Sequence, residues 1–407
     1  MKKLQRYVPF NPINAVDPES PFQIFFDQVI PVGCDGIFVA GWLHDPYESL
    51  DEIEAITALG FRFSVSVEHI YRTERQDVRE HLSQTRYGRF DAKPGFFAYI
   101  QADQETRDLL EGFDQFHNVR FCIRLKDKIS VDVTPDIKFC DVFTARSIVS
   151  QIISPDQVND DMIEHCIAPA AAKLQGLCME KIKIQKVIDI GTPWESPVAS
   201  IVIPLYKRID FIKVQIPLFA NDPTLRNSEI IYVLDSPWQA KELTAFLREH
   251  CQLYQLPIKL VIMQRNSGYS SANNAGASQA RGKYILLMNS DVFPRASGWI
   301  DKMIEFYQSS PEIGTVGAKL VYEDGSIQHA GMFFEKTTFP FWLTLHYYKG
   351  FPNKYGPANT ARAVPSVTGA CLLIAKELYD QVGGMSTEYV IGDFEDSDLC
   401  FKCVSQG

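Results

Sequence analysis

The segment ASIVIPLY, residues 199–206, is an almost unbroken apolar run that ends in a polar exit. Runs of this kind belong to strands buried on both faces of a parallel sheet. Working outward, EIIYVLDS (229–236), IKLVIMQR (258–265) and KYILLMNSD (283–291) repeat the pattern. Helical stretches fall between them, including 239–250 and 270–281. Strand alternating with helix predicts a doubly wound α/β sheet. Ligands in such sheets bind beyond the carboxyl ends of the strands, so the chemistry is expected just after each apolar run.

The four exits are Pro204-Leu205-Tyr206-Lys207, Asp235-Ser236, Arg265-Asn266-Ser267-Gly268 and Asn289-Ser290-Asp291. One polar exit means little, because every strand must end in something polar; four that face one crevice make a site. Asp235 is suited to accept bonds from a base N–H or a ribose hydroxyl. Gly268 lets the backbone approach a ligand closely. On an extended segment Asn289 and Asp291 point the same way. Hard divalent cations such as Mg²⁺ or Mn²⁺ take such oxygen ligands and leave room for substrate phosphates.

A second cluster closes the chain. IGDFEDSDLC (391–400) holds Asp393, Glu395, Asp396 and Asp398 within six positions. A helix dipole accommodates one or two carboxylates in a first turn, but four repel one another. Crowding raises the pKa of at least one of them, which suits a general base. With a helix start near Glu395, Glu395 and Asp398 share a face at i, i+3 and Asp396 points elsewhere.

The first half reads differently. QIFFDQVIPV, GIFVAGWL, FRFSVSVEHIY, GFFAYIQA and VRFCIRL are short, alternating and rich in Phe, Val and Ile, which predicts an antiparallel sandwich. Residues 145–186 have helical periodicity, and DIGTPWESPVAS (189–200) reads as a linker. The expected division is a β-rich domain over 1–144, a helical connector and linker over 145–196, and the α/β domain over 197–407. Trp42, His44 and Asp45 are candidates for a sugar contact, although a strand Trp is usually core.

Composition narrows the function classes. The chain has 407 residues, net charge −10, and 46% hydrophobic with 22% charged residues, which fits a globular protein of two domains. The acidic balance argues against nucleic-acid binding. No apolar run reaches membrane-span length and no secretory signal opens the chain, so a cytoplasmic location is expected. Nine cysteines without a framework spacing predict free thiols. Walker-type G-x-x-x-x-G-K, G-x-G-x-x-G and H-E-x-x-H motifs are missing.

GKYILLMNSDVFPRASGWIDKMI, IGTVGAKLVYEDGSIQHAGM, VPSVTGACLLIAKELYDQVGGM and FEDSDLCFK resemble, in order, the blocks of family-2 glycosyltransferases with the GT-A fold, most of all bacterial enzymes of the rhamnosyltransferase and polysaccharide-assembly type. The resemblance covers about residues 198–407. It implies a Rossmann-like mixed sheet with helices on both faces, a nucleotide-diphosphate sugar as donor, a glycan or lipid-linked acceptor, and peripheral contact with a membrane at most. Pro204 and Tyr206 would line the nucleotide, Asp235 would contact base or ribose, and Arg265, Asn266 and Gly268 would share that pocket. Asn289-Ser290-Asp291 stands where the family has D-x-D, so Asp291 would hold Mn²⁺ or Mg²⁺ with Asn289 beside it. The catalytic base would be Asp396, with Glu395 and Asp398 as neighbours, in a single inverting displacement.

His329, a lone His after a turn, reads more often as structural, with a contact to the diphosphate or the acceptor as the alternative. Phe341, Trp342, His346 and Tyr347 line the acceptor or are core, and spacing does not separate the two. Thr368 and Gly369 would face the acceptor. Family members run on past the position of Gly407, so the chain reads as C-terminally truncated. Two other readings compete: a nucleotidyltransferase, against which PLYKRID lacks a glycine, and a glycan-binding or scaffolding protein with a degenerate transferase domain.

Overall fold

The computed structural model describes residues 22–83, 93–110, 119–135, 140–155, 157–336, 342–390 and 392–406. Phe341 lies outside them. The chain forms two compact units that divide between Glu180 and Lys181.

The first unit is the expected antiparallel sandwich. Strands β1 (Gln23–Pro31), β2 (Gly36–His44), β5 (Tyr71–Thr73) and β6 (Gly95–Gln101) form one sheet. Strands β3 (Leu50–Thr57), β4 (Arg62–Ser66), β7 (Val119–Leu125) and β8 (Ser130–Val133) form the other. Inward residues of both sheets share a core that includes Ile24, Phe26, Val39, Ile53 and Phe121. Phe26 and Phe121 stack across it at 4.5 Å. The stretch FRFSVSVEHIY is not one strand: a 3₁₀ turn at Val67–His69 passes the chain from one sheet to the other.

The other face of the first sheet is covered by helices Val142–Ser150 and Ala168–Glu180, which bury Val149, Ala170 and Leu174 against Phe38, Phe97 and Tyr99. Asp45 accepts bonds from the Ser49 amide (2.9 Å), the Ser49 hydroxyl (2.6 Å) and the Leu50 amide (2.8 Å), so it closes the turn into β3. His69, Asp161 and His165 bring donor atoms within 4.8 Å of one another. Their imidazoles stack with planes only 15° apart, and two such offset planes offer no shared in-plane position for one ion.

The helical periodicity read to 186 ends at Glu180; residues Ile184–Ile190 are strand β9, the edge of the second unit's sheet. This sheet also contains β10 (Ala199–Leu205), β11 (Ser228–Leu234), β12 (Ile258–Met263), β13 (Tyr284–Met288), β14 (Thr315–Gly317) and β19 (Cys371–Ala375), in the order β14-β19-β13-β10-β11-β12-β9. Strands β10 to β13 are parallel, whereas β9, β14 and β19 each join antiparallel to a neighbour. From β10 the chain steps outward to β11 and β12, then returns to β13 on the other side. The order therefore switches beside β10, where a ligand crevice is expected.

Alternate residues of β10 feed two cores. Ile201, Ile203 and Leu205 pack under helices Ile212–Ala220, Ala240–Tyr254 and Trp299–Gln308. Val202 packs under Tyr269–Ser278 and Glu395–Val404. Gly276 lets the Tyr269–Ser278 helix lie flat on the sheet: a Cβ there would sit 2.4 Å from Val202 Cγ1 and 2.8 Å from Val233 Cγ2. That contact brings the helix N-terminus to the strand ends. Two small antiparallel pairs, β15 (Leu320–Val321) with β16 (Ile327–His329) and β17 (Met332–Lys336) with β18 (Trp342–His346), lie between β14 and β19 in the chain. All nine cysteines are free. No described helix is long and apolar enough to cross a membrane.

Candidate active site

The ends of β10, β11 and β12 are tied into one rim. Asp235, directly after β11, is buried and accepts three bonds: Ser267 N (2.7 Å), Ser267 Oγ (2.6 Å) and Gly268 N (3.0 Å). Burial pushes its pKa up to about 6 against the pull of those donors. The expectation for Asp235 was a direct bond to base or ribose. In this structure its oxygens hold the loop of Arg265, Asn266 and Gly268, and Gly268 sits at φ +83°, where a side chain is strained. Asn266 Oδ1 also accepts from Gly268 N at 3.2 Å. Asp235→Asn is expected to destabilise the fold by about 1–3 kcal/mol in urea titrations, because an amide N–H₂ must oppose one of those donors.

On the same rim Lys207 N donates to Ser236 Oγ, and Gln239 Nε2 donates to the Lys207 carbonyl. Tyr206 and Trp238 meet edge to face at 6.2 Å, and both are exposed, at 42% and 64%. Two exposed rings at strand exits form an apolar wall on which a planar base can stack. Pro204 lies in β10 two residues past Val202, where pairing with β13 ends. Trp238 was not among the residues read as functional, although it directly follows the Asp235-Ser236-Pro237 exit.

The end of β13, the segment leading into the start of β19, and the start of the Glu395–Val404 helix form the second half. After Met288 the chain turns, with Val292 N bonded to Asn289 O at 3.2 Å. Asn289 and Asp291 are therefore not on one extended face as the spacing predicted. Asn289 reaches inward: the Tyr269 hydroxyl lies 3.0 Å from its Oδ1 and 3.0 Å from the Gly369 carbonyl oxygen. Asp291 is exposed, and its carboxylate has no partner among the described residues.

From Gly369 the connection continues to the base candidate. Gly369 N donates to Asp396 Oδ2 at 3.1 Å, Ser397 N donates to Oδ1 at 2.8 Å, and the Thr368 side chain donates as well. Burial raises the Asp396 pKa above the ordinary carboxylate range despite these donors. Glu395 is 8% exposed, its Oε2 is unpaired, and burial followed by the charges of Asp396 and Asp393 raises its pKa. Asp398 is drawn away along the helix by Lys402 at 2.8 Å. The four acidic residues thus separate into a bonded Asp396, a buried Glu395, a paired Asp398 and an exposed Asp393.

Tyr269 is the hinge of the arrangement, and sequence reading passed over it as part of a short helix. It follows Gly268 of the first half, and its single hydroxyl proton is shared between two acceptors of the second, Asn289 Oδ1 and the Gly369 carbonyl oxygen. His329, read as more often structural than a ligand contact, is 1% exposed and has both ring nitrogens engaged by protein. Chemically, the strand ends offer a pair of exposed aromatic rings, an exposed carboxylate at Asp291, and a half-buried carboxylate of raised pKa at Asp396.

Residues 200–383 match the family model described as Glycosyl transferase family 2. The uncharacterized protein y4gI of Sinorhizobium fredii is 30% identical over 212 residues, which is 52% of this chain and 23% of that protein. The O-antigen biosynthesis protein RfbC of Myxococcus xanthus is 26% identical over 215 residues, 52% of this chain and 16% of that protein. The alignments therefore span less than a quarter of these curated relatives. A solved mannosyltransferase, PcManGT from Pyrobaculum calidifontis with GDP-Man and Mn²⁺, aligns with a TM-score of 0.38 and 15% identity over 53% of this chain and 56% of its own. Similarity to glycosyl transferase family 2 thus begins inside β10, takes in Tyr206, Asp235, Gly268, Asn289, Asp291 and Gly369, and stops before Asp396.

Proposed function

We propose that this chain is an inverting glycosyltransferase that moves a sugar from a nucleotide-diphosphate donor to a hydroxyl of a glycan or lipid-linked acceptor, in cell-surface polysaccharide synthesis on the cytoplasmic side. One observation carries the reading: the contacts Asn289–Tyr269–Gly369–Asp396 join the turn that bears Asp291 to the half-buried carboxylate of Asp396. In this reading the donor end and the base are linked through those hydrogen bonds.

The acceptor O–H gives its proton to Asp396, and its oxygen attacks the anomeric carbon of the donor. The bond from that carbon to the diphosphate oxygen breaks, its electron pair stays on the diphosphate, and the anomeric configuration inverts. The raised pKa of Asp396 strengthens it as a base. Tyr206 and Trp238 would flank the nucleotide, and Arg265 and Asn266 would border it. The exposed, unpartnered oxygens of Asp291 suit a hard cation, so this residue would hold Mn²⁺ or Mg²⁺. A bound ion there supplies positive charge against the leaving diphosphate.

Calorimetric titration with UDP, GDP and dTDP, each with and without Mn²⁺, tests the proposal. Binding of at least one nucleotide, strengthened by the ion, is expected. If none binds under any condition, the glycan-binding scaffold reading replaces this one.

A further inference from the structure

The two histidines behind Asp396 define one another's protons. His329 Nε2 accepts from Gly331 N at 3.2 Å, and Thr368 N approaches the same nitrogen at 3.5 Å. A nitrogen that accepts an N–H carries no proton, so neutral His329 is protonated on Nδ1. Burial, with the neighbouring His346, lowers its pKa to about 3, so the neutral ring is the form present at ordinary pH. His329 Nδ1 lies 2.9 Å from His346 Nδ1, and the rings meet at 79°. His329 must be the donor in that bond, which makes His346 Nδ1 the acceptor. The proton of a neutral His346 is then on Nε2. Burial lowers the His346 pKa, followed by the charge of Lys349, with Asp396 opposing. The ring is only partly buried, and its Nε2 has no partner among the described residues.

Several contacts hold this ring beside the base. His346 ends β18, opposite Met332 of β17. Met332 N bonds to Ser366 O at 2.8 Å, and Ser366 Oγ lies 3.5 Å from Ser397 Oγ, next to Asp396. Thr368 joins the two sides: its amide approaches His329 and its side chain bonds Asp396. The flanking Tyr347 is covered by Arg362, which lies 4.4 Å from the ring centroid and donates to the Ala330 carbonyl.

We infer that His346, held in one tautomer by His329, is the imidazole that faces the ligand: its Nε2–H donates a hydrogen bond to an oxygen of the sugar acceptor beside Asp396. His329 is its positioning residue and does not touch substrate. A neutral donor suits a neutral hydroxyl oxygen, which it orients with a lone pair toward the anomeric carbon while Asp396 takes the proton. This inference rests on the glycosyltransferase reading and deepens it by giving the acceptor a polyol contact.

The test is ¹⁵N-histidine NMR of the full chain with Mg²⁺ and the nucleotide that binds, titrated with methyl glycosides of glucose, galactose, mannose and rhamnose. The expected spectra show His329 protonated on Nδ1 and His346 on Nε2, and at least one glycoside moves the His346 Nε2–H signal. His346→Phe is expected to weaken that glycoside about tenfold, the factor set by one lost hydrogen bond. His346→Gln, whose Nε2 donates from a similar reach, restores most of it, and nucleotide affinity stays unchanged in both variants. His329→Gln is expected to release the tautomer lock without unfolding the chain. Reversed tautomers, a His346 signal unmoved by every glycoside, or equal affinities in His346→Phe and wild type overturn the inference and leave the transferase reading standing. Loss of nucleotide binding in the wild type defeats that underlying reading instead.

Discussion

Asp396→Asn is expected to lower sugar transfer by about 10²–10⁴-fold, the span that a positioned general base contributes, while nucleotide affinity stays within about twofold. The affinity is preserved because Asp396 is bonded to Gly369, ahead of β19, whereas the Tyr206–Trp238 pair stands just past β10 and β11. The variant also replaces an acceptor oxygen that faces Gly369 N, so its stability needs a parallel urea titration. A fold loss of about 1–3 kcal/mol with full nucleotide binding assigns the lost turnover to chemistry. In the wild type the rate depends on the deprotonated base. Burial raises the Asp396 pKa, so the rate should climb with pH through a limb above the range of an exposed aspartate. A variant that keeps more than a tenth of wild-type turnover removes Asp396 from the role.

Asp291→Ala is expected to abolish the ion-dependent part of nucleotide binding and to lower transfer by about 10²-fold or more, since charge stabilisation by a bound ion is worth several kcal/mol. Stability should move by no more than about 0.5 kcal/mol, because the side chain is exposed and unpartnered. Asn289→Ala is the contrast. Its Oδ1 pairs with the Tyr269 hydroxyl, so its loss should cost about 1 kcal/mol of stability and loosen the link to Gly369. Calorimetry with and without Mn²⁺ separates the two. Ion-dependent binding that survives in Asp291→Ala places the cation elsewhere.

These two residues show why the acidic cluster and the strand exits were only partly readable. Spacing placed Asp291 after an apolar run, and it is there. Spacing also placed Asn289 on the same side, and a turn at Val292 undid that, because alternation holds only while the chain stays extended. Crowding in 391–400 indicated that one carboxylate would have a raised pKa. Burial decides which: it raises Asp396 and Glu395, against the pull of Gly369 N on Asp396, while Lys402 takes Asp398.

The sequence by itself determined the parallel core of the second unit and the places where chemistry could occur. A strand buried on both faces has to be apolar along its whole length, and its exit has to be polar, so ASIVIPLY and its three successors are legible from local composition alone. It also determined the sandwich of the first unit, through alternation of period two. Tertiary structure alone decided what each exit does. Asp235 accepts from Ser267 and Gly268, Tyr269 meets Gly369 across 100 residues, and His329 fixes His346 across 17. Whether a polar group is free for a ligand is a question of hydrogen-bond partners, and those partners come from segments that only the folded sheet brings within 3 Å of one another.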